Sequence, residues 1–253
     1  MSNIAIIPAR GGSKRISNKN IKLFCGKPII AYSIEAALQS GVFDAVLVST
    51  DSEAIANIAK QYGAEVPFIR PDYLADDHTG TTDVIEHAIT EWQNLGNKIN
   101  LACCIYATAP FLQKKYIVDA INRLKAHATK RSAFTVCKFN YPIQRSFTIE
   151  SSDSNVTPVD ASSLPKRSQD LPDVYHDAGQ FYIAKADDFL NQSFNIFSET
   201  SIPIILPHYL VQDIDDQDDW RRAEYMYQAF IADNEKLNAD VMCKDLKNVR
   251  KIK

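Results

Sequence analysis

The sequence lacks the features that mark several classes of protein. Its 253 residues include five cysteines, an odd number without CxxC spacing, so it predicts neither a disulfide framework nor a zinc site. No apolar run approaches the roughly 18 residues that span a bilayer, and the apolar start is too short for a signal peptide. A basic excess is absent, since 28 Lys and Arg oppose 31 Asp and Glu. We therefore expect a cytoplasmic protein that binds neither membrane nor nucleic acid.

What is present indicates a well-packed globular chain. Hydrophobic residues make up 45% of the sequence, and the charged fraction is 23%. Dividing the length by about 150 residues per domain gives between one and two domains. We predict one domain over residues 1–253.

The first two hundred residues alternate short β-rich runs with helical patterns. This order predicts an α/β fold with a mostly parallel sheet covered by helices on both faces. Either Asp51 or Ser52 is expected to cap the second helix, and Gly41 to end the first. The predicted strands are 4–9, 45–48, 66–69, 101–107, 133–137, 180–183 and 202–206, and the apolar helical stripes are 30–38, 55–59, 84–92, 117–124 and 220–230.

One stretch, 139–173, breaks this rhythm. It is rich in Ser, Asp, Asn and Pro and carries no helical stripe of useful length. Excursions of this size are uncommon in compact domains unless they are functional. We predict that it serves substrate binding or pairing with a partner chain.

The first 34 residues contain no Asp or Glu but six cations. These are Arg10, Lys14, Arg15, Lys19, Lys22 and Lys27. Gly11 and Gly12 permit a turn that directs amide N–H groups at a ligand, and Ser13 adds a hydroxyl. Oriented donors with cations after a first strand favour a polyphosphate site over a solvated basic loop. Neither GxxxxGK[ST] nor GxGxxG is present, so the loop is not of the Walker or dinucleotide type.

Three motifs carry a resemblance to a known family. IIPARGGSKR at 6–15, followed by KNI at 19–21, resembles the signature loop of the cytidylyltransferases that activate sialic-acid-like sugars. CIYATAPF at 104–111, and SQDL at 168–171 leading to YHDAGQFY at 175–182, resemble the members that act on pseudaminic acid. The similarity runs from Ile4 to the acidic segment at Asp213.

This resemblance implies an activity and an architecture. The activity is transfer of CMP from CTP to the anomeric 2-hydroxyl of a nonulosonic acid, with release of pyrophosphate. The implied architecture is a Rossmann-like, three-layer α/β/α nucleotidyltransferase with bound Mg²⁺. It also implies a homodimer in which the 139–173 excursion of each subunit reaches the other's site.

The same resemblance implies residue roles. Arg10 and Lys19, together with Arg167, are the expected catalytic residues, because charge on the α-phosphorus must be stabilised. The expected nucleotide-binding residues are Arg10, Gly11, Gly12, Ser13, Lys14, Lys19, Asn20, Arg70, Thr79 and Thr81. For Arg70 the alternative interpretation is an ordinary residue at the end of a strand.

Asp213 and Asp215 are the candidate metal ligands. Carboxylates two residues apart project from one side of an extended segment and suit a hard cation that bridges phosphates. The competing interpretation is that this acidic run complements the start of a helix. We expect Asp218 to be the helix cap.

The sugar-binding prediction combines basic and aromatic residues. Its members are Tyr106, Arg145, Arg167, His176, Gln180 and Tyr182, with the arginines expected to bind the sugar carboxylate. His176 is a candidate general base or, equally, a structural histidine. Tyr106 stands where many sialic-acid enzymes have Gln, which disfavours plain N-acetylneuraminic acid.

Other functions are less well supported by the sequence. Legionaminic acid, sialic acid or 3-deoxy-octulosonate could replace pseudaminic acid, because one polar contact shifts selectivity by only a few kcal/mol. A glycosyltransferase with an Asp-x-Asp metal site is a second alternative, although Asp213 comes late in the chain. A non-catalytic nucleotide-binding protein is a third.

Overall fold

The computed structural model describes residues 2–76, 79–150 and 155–249, with only the helical backbone for 234–249. The strands are β1 Ser2–Pro8, β2 Leu23–Phe24, β3 Lys27–Pro28, β4 Ala45–Ser49, β5 Ile99–Ile105, β6 Ser132–Lys138, β7 Phe147–Ile149, β8 Val156–Pro158, β9 Tyr175–Lys185 and β10 Ser201–Leu206. The helices are α1 Ile29–Ser40, α2 Glu53–Gln61, α3 Thr81–Asn94, α4 Lys114–Ala126, α5 Ala186–Phe189 and α6 Gln217–Val249.

A mixed, mostly parallel sheet forms the centre of the described chain. Its strand order is β10-β6-β9-β5-β1-β4, in which β9 runs antiparallel to β5 and β6 and the other neighbours are parallel. Helices cover both faces, which confirms the predicted three-layer α/β/α class. From β1 the chain moves to β4 on one side and later to β5 on the other. Such a switch in direction leaves a crevice outside the carboxyl end of β1.

The two faces of the sheet belong to separate apolar cores. On one face Ala5 and Ile7 of β1 belong to a cluster that includes Ile34 of α1 and Ile117 of α4. On the other face Ile4 and Ile6 belong to a cluster that includes residues of α3 and α5. Because successive strand residues point to opposite faces, the continuous apolar run at the start of the chain fills both cores.

A third core joins the opening loop to the acidic segment near the C-terminus. Ile16 is 3% exposed and Ile214 is completely buried, and both lie in one cluster with Phe24 and Trp220. The rings of Phe24 and Trp220 meet edge to face with centroids 5.5 Å apart. This packing brings the basic and acidic segments together although about 200 residues separate them along the chain.

Several local predictions are corrected by the structure. Residues 66–69 form no strand: a single parallel bridge joins Glu65 to Leu47, and Pro67 then lacks the N–H needed to extend the pairing. The cap of α6 is Asp216, whose Oδ1 accepts the N–H groups of Asp218 and Asp219 at 2.9 and 3.0 Å, so Asp218 is not the cap.

Other local predictions are confirmed. Ser52 caps α2, its Oγ accepting the Ile55 N–H at 3.5 Å, and Gly41 ends α1 with φ 66°.

Two further features concern the sheet and the helices. The adjacent Cys103 and Cys104 are buried in β5. None of the described helices has the length and apolarity that crossing a membrane requires.

The 139–173 excursion lies outside the main sheet. Its described residues form a small antiparallel hairpin of β7 and β8, flanked by short 3₁₀ turns, before β9 returns to the sheet. Phe147, Ile149 and Val156 on this hairpin are 51%, 66% and 57% exposed. The excursion therefore presents apolar side chains that the described part of this chain leaves exposed.

Candidate active site

A cleft of about 310 Å³ lies outside the carboxyl ends of β1 and β5. We call it the main cleft. It lies at the position that the switch in strand order predicts. It is lined by Pro8, Arg10, Ser13, Lys14, Arg15, Ile16, Lys19, Asn20, Arg70, Leu74, Asp76, Thr79, Thr81, Val84, Tyr106, Ala107, Thr108 and Asp215.

The main cleft gathers most of the nucleotide-binding residues predicted from the sequence. Eight of the ten line it: Arg10, Ser13, Lys14, Lys19, Asn20, Arg70, Thr79 and Thr81. They come from the opening loop, from the segment after β4 and from the start of α3. A surface with this many cations and hydroxyl groups suits a polyanionic ligand.

Gly11 and Gly12 are not part of the lining, and the structure corrects the role of Gly11. Its N–H donates to Asp51 Oδ1 at 2.8 Å, so this amide is already used inside the chain. The Ser13 N–H likewise donates to the Gly11 carbonyl at 3.0 Å. A Cβ on Gly11 would lie 3.1 Å from the Ser52 Cβ, whereas one on Gly12 would meet nothing within 4 Å. Gly11 therefore allows the loop to approach α2 closely.

Asp51 is a residue whose role the sequence did not reveal. Because Ser52 caps α2, Asp51 is left to hold the opening loop through Gly11. The signal was its place directly after β4, at the edge of the sheet where ligands bind.

Asn20 and Arg10 are also held in place by the backbone. The buried Asn20 donates from Nδ2 to the Arg10 carbonyl at 2.9 Å, which closes the loop on itself. The Arg10 guanidinium donates to the Asp76 carbonyl on the opposite wall. The loop thus spans the cleft with a fixed shape.

Arg70 lines the main cleft and is hydrogen-bonded to the end of β4. It is 3% exposed, its Nε donates to Ser49 Oγ at 3.2 Å, and its Nη2 donates to the Ser49 carbonyl. Burial lowers its pKa to about 10, while Asp51 acts in the opposite direction. Arg70 therefore remains protonated at neutral pH, fixing the end of β4 and adding positive charge to the cleft.

Lys19 connects the basic loop to the acidic segment. Its Nζ donates to the Ile214 carbonyl at 2.7 Å and lies 3.7 Å from Asp215 Oδ1. Asp215 also pairs with Arg15 Nη2 at 2.9 Å. Arg15 also lines the cleft. The sequence analysis named it as one of the six cations of the acid-free segment but did not include it among the expected nucleotide-binding residues.

The two candidate metal ligands line two neighbouring cavities. Asp215 lines the main cleft, and Asp213 lines an adjoining cavity of about 430 Å³ that shares Tyr106 with it. Partial burial raises the pKa of Asp213, and repulsion from Asp215 raises it further, while Lys19 opposes the shift. Two carboxylates that repel each other beside a polyanion site form a donor set suited to a hard divalent cation. The described residues contain no cluster of three or more His, Cys, Asp or Glu side chains that could hold a metal ion.

Tyr106, which lines the same cavity as Asp213, begins a chain of hydroxyl contacts. It interacts with Thr81 and Tyr182, and the Tyr182 hydroxyl donates to Asp177 Oδ2. Burial, followed by Asp177, raises the Tyr182 pKa far above its usual value, so this hydroxyl keeps its proton. Asp177 is a further residue for which the sequence predicted no role.

The remaining sugar-binding predictions have different outcomes. His176 lines the adjoining cavity with Tyr106 and Tyr182, and its Nδ1 donates to the Asp177 carbonyl at 2.8 Å, leaving Nε2 as the basic nitrogen of the neutral ring. Gln180 is 4% exposed, and its Nε2 donates to the Leu210 carbonyl at 2.5 Å. Gln180 thus lines neither space, and the expectation that it contacts the sugar is not supported by its position.

Arg145 and Arg167 lie on the excursion and do not line the main cleft of their own chain. Arg145 Nη1 donates to Ser168 Oγ at 3.2 Å, and Arg167 Nε pairs with Asp170 Oδ2 at 2.8 Å. The Arg167 side chain is 73% exposed. Neither arginine can therefore be assigned to a site within one chain.

Comparison with known proteins agrees with this geometry. The chain is 43% identical over 228 residues to the pseudaminic acid cytidylyltransferase of Campylobacter jejuni subsp. jejuni serotype O:23/36, covering 90% of this chain and 97% of that protein. It is 34% identical over 230 residues to the CMP-N,N'-diacetyllegionaminic acid synthase of Legionella pneumophila, with the same two coverages. The solved structure of CMP-2-keto-3-deoxy-manno-octonic acid synthetase complexed with CTP shares the fold, with a TM-score of 0.68 and 14% identity over 90% of this chain and 99% of that one.

The family model described as cytidylyltransferase matches residues 4–243. The matched residues include the basic opening loop, Tyr106 and Tyr182 with their hydroxyl contacts, and the pair Asp213 and Asp215. The match disfavours the alternative of a glycosyltransferase. With its signature loop folded over the end of β1 and the acidic pair facing it, the chain belongs to the cytidylyltransferase family.

Proposed function

We propose that this protein transfers CMP from CTP to the anomeric 2-hydroxyl of pseudaminic acid and releases pyrophosphate. The observation that carries the proposal is the main cleft, where cations of the acid-free opening segment face Asp215. The similarity to the Campylobacter protein, whose name states pseudaminic acid as its substrate, supports the choice of sugar.

The cations suit the charge changes of this reaction. The sugar hydroxyl oxygen forms a bond to the α-phosphorus, the bond from that phosphorus to the bridging oxygen breaks, and the hydroxyl proton is lost. Negative charge grows on the phosphoryl oxygens and on the departing pyrophosphate. Arg10, Lys14 and Lys19 line the wall on which this charge would lie, and preorganised cations stabilise such a transition state.

We further propose that Asp213 and Asp215 hold Mg²⁺. A bound Mg²⁺ supplies a positive charge that neutralises phosphate oxygens and orients the leaving group. The mutual repulsion of the two carboxylates supports this assignment, because a cation between them would relieve it.

The acceptor sugar is proposed to lie in the cavity beside Asp213. Tyr106 borders both spaces, so a ligand there would contact the cleft in which the α-phosphate is proposed to bind. Tyr182 and His176 line the same cavity, and the basic Nε2 of His176 makes it a candidate to accept the hydroxyl proton. Legionaminic and sialic acid remain the alternative acceptors.

A panel of 2-keto sugar acids tests the acceptor. Pyrophosphate release would be measured with CTP, Mg²⁺ and each sugar in turn, and pseudaminic acid is expected to give the highest kcat/KM. Asp215→Asn is the control, expected to abolish turnover while leaving the melting temperature nearly unchanged. Faster turnover of sialic or legionaminic acid would overturn the choice of sugar, and no CTP consumption with any acceptor would overturn the proposed reaction.

We also propose that the protein acts in the cytoplasm as a homodimer in which the excursion completes the partner's site. The exposed apolar hairpin and the absence of Arg167 from the lining of its own main cleft support this arrangement. Ile149→Asp is expected to give monomers with little activity. Leu95→Asp, at a residue that is 60% exposed at the end of α3, is the matched control and should stay dimeric.

Mixing two inactive variants tests sharing of the site directly. In a mixed dimer of Arg10→Ala and Arg167→Ala, one of the two shared sites would contain both arginines. Statistical reassembly would therefore restore about a quarter of the wild-type activity. No recovery after verified subunit exchange would contradict a shared site.

A further inference from the structure

Arg15 and Asp215 form an ion pair at the point where the proposed metal and the triphosphate would meet. Arg15 Nη2 lies 2.9 Å from Asp215 Oδ1, and Lys19 Nζ lies 3.7 Å from the same oxygen. All three side chains line the main cleft. Two protein cations thus converge on a carboxylate oxygen that the proposed function gives to Mg²⁺.

The backbone on both sides of this pair is anchored. Ile16, the neighbour of Arg15, and Ile214, the neighbour of Asp215, are buried in one apolar core with Phe24 and Trp220. The fold therefore holds the two chain segments at positions where the guanidinium and the carboxylate lie close together. A chance contact between two surface side chains would not have a buried core residue next to each partner.

The two cations differ in their freedom to move. Lys19 is held by its bond to the Ile214 carbonyl at 2.7 Å, and its side chain is 22% exposed. The Arg15 side chain is 67% exposed and ends in a planar fork that suits phosphate oxygens as well as a carboxylate. Arg15 can exchange one anionic partner for another without unpacking a core.

We infer that Arg15 is an exchangeable counter-cation for the metal site, an inference that rests on the proposed function. Without metal, its guanidinium neutralises Asp215. With metal and CTP bound, Asp215 would hold the divalent cation, and the Arg15 guanidinium, repelled by that charge, would leave the carboxylate. The guanidinium then hydrogen-bonds to the triphosphate, so that Arg15 becomes a further nucleotide-binding residue.

Arg15→Ala should therefore change two affinities in opposite directions. Exposed ion pairs contribute about 0.2–1 kcal/mol, so removing this competitor should tighten binding of Mn²⁺ alone by roughly 1.4- to 5-fold. Loss of a charge-assisted bond to phosphate should weaken CTP binding in the presence of Mg²⁺ by about tenfold or more. Electron paramagnetic resonance of free Mn²⁺ measures the first affinity, and calorimetry without acceptor sugar measures the second.

Lys22→Ala is the matched control, because it removes another cation of the acid-free segment. Lys22 Nζ donates to Gln217 Oε1 at 3.1 Å and lies over the Trp220 ring, outside the main cleft. Since only a screened, longer-range charge effect remains, both affinities should stay within about twofold of wild type. Arg15→Gln, which keeps much of the side chain's length, should shift both affinities in the same directions as Arg15→Ala and guards against misfolding of one variant.

Weakening of both affinities, no change in either, or no Mn²⁺ binding by wild type and variant at millimolar metal would each overturn the inference. A purely structural role would lower both affinities together and cannot produce opposite signs. Failure of the wild-type protein to bind CTP with Mg²⁺ would instead overturn the proposed function, and this inference with it.

Discussion

Asp51 fixes the position of the opening loop, and its replacement tests whether that position controls nucleotide binding. Asp51 Oδ1 accepts the Gly11 N–H at 2.8 Å, and its charge supports the buried Arg70 guanidinium. In Asp51→Ala both interactions are lost, so the loop that carries Arg10 should become less well fixed. The Asp51→Asn variant keeps an oxygen acceptor for Gly11 and removes only the charge.

The size of the effect follows from the kind of bond. Hydrogen bonds to charged groups contribute about 1.5–3 kcal/mol, and Asp51 is only partly buried, so the lower half of this range applies. A domain of this length loses roughly 2–4 °C of melting temperature per kcal/mol, which gives a fall of about 3–9 °C for Asp51→Ala. Asp51→Asn should fall between this variant and wild type, because neutral hydrogen bonds contribute about 0.5–1.5 kcal/mol.

Asp44→Ala provides a matched control. Asp44 Oδ2 accepts the Asn3 N–H at 2.7 Å, the same kind of bond at the opposite end of β1. Thermal unfolding without ligands should show a similar loss of stability for Asp44→Ala and Asp51→Ala. Steady-state pyrophosphate release should show a raised KM for CTP, by about tenfold or 1.4 kcal/mol, only for Asp51→Ala. An unchanged KM in Asp51→Ala, or an equal rise in both variants, would refute the argument that Asp51 places the loop.

Three further substitutions test individual contacts. Gly11→Ala should raise the KM for CTP, because its Cβ would lie 3.1 Å from the Ser52 Cβ; Gly12→Ala, with nothing within 4 Å, should not, and equal kinetics would contradict this. Gln180→Leu removes the donor to the Leu210 carbonyl, which is destabilising, and also the unpaired Gln180 Oε1, whose removal is stabilising. Because these opposing effects are each about 1–3 kcal/mol, the melting temperature should stay within a few degrees of wild type. The KM for the sugar should be unchanged, and a large rise in that KM would show that Gln180 contacts the sugar after all. Asp213→Asn should abolish turnover and raise the melting temperature of the metal-free protein at pH 7. The pKa of the Asp213 carboxyl is raised on folding, so its charged form opposes folding at neutral pH. The gain in melting temperature should therefore vanish below the pKa that this carboxyl has in the unfolded chain.

Patterns along the chain were enough to predict the fold class and many of the residues that line the main cleft. The alternation of apolar strands and helical stripes follows from side-chain periodicity, which is local, so the sheet, its two covered faces and most element positions could be predicted. The acid-free opening segment and the Asp213–Asp215 pair were also visible, because charge and spacing are properties of the chain itself. The strand predicted at 66–69 is the exception. Its apolar pattern is typical of a strand, but pairing requires N–H groups aligned with the neighbouring strand, and Pro67 has none.

Which of these residues contact each other depends on packing between distant segments, which the sequence patterns do not reveal. Ile16 and Ile214 are far apart in sequence, and their shared apolar core brings Arg15 to Asp215. The Gly11 amide faces Asp51 because β1 and β4 are neighbours in the sheet. Such partners are set by packing between distant segments, and burial and hydrogen bonding of this kind leave no periodic pattern in the chain.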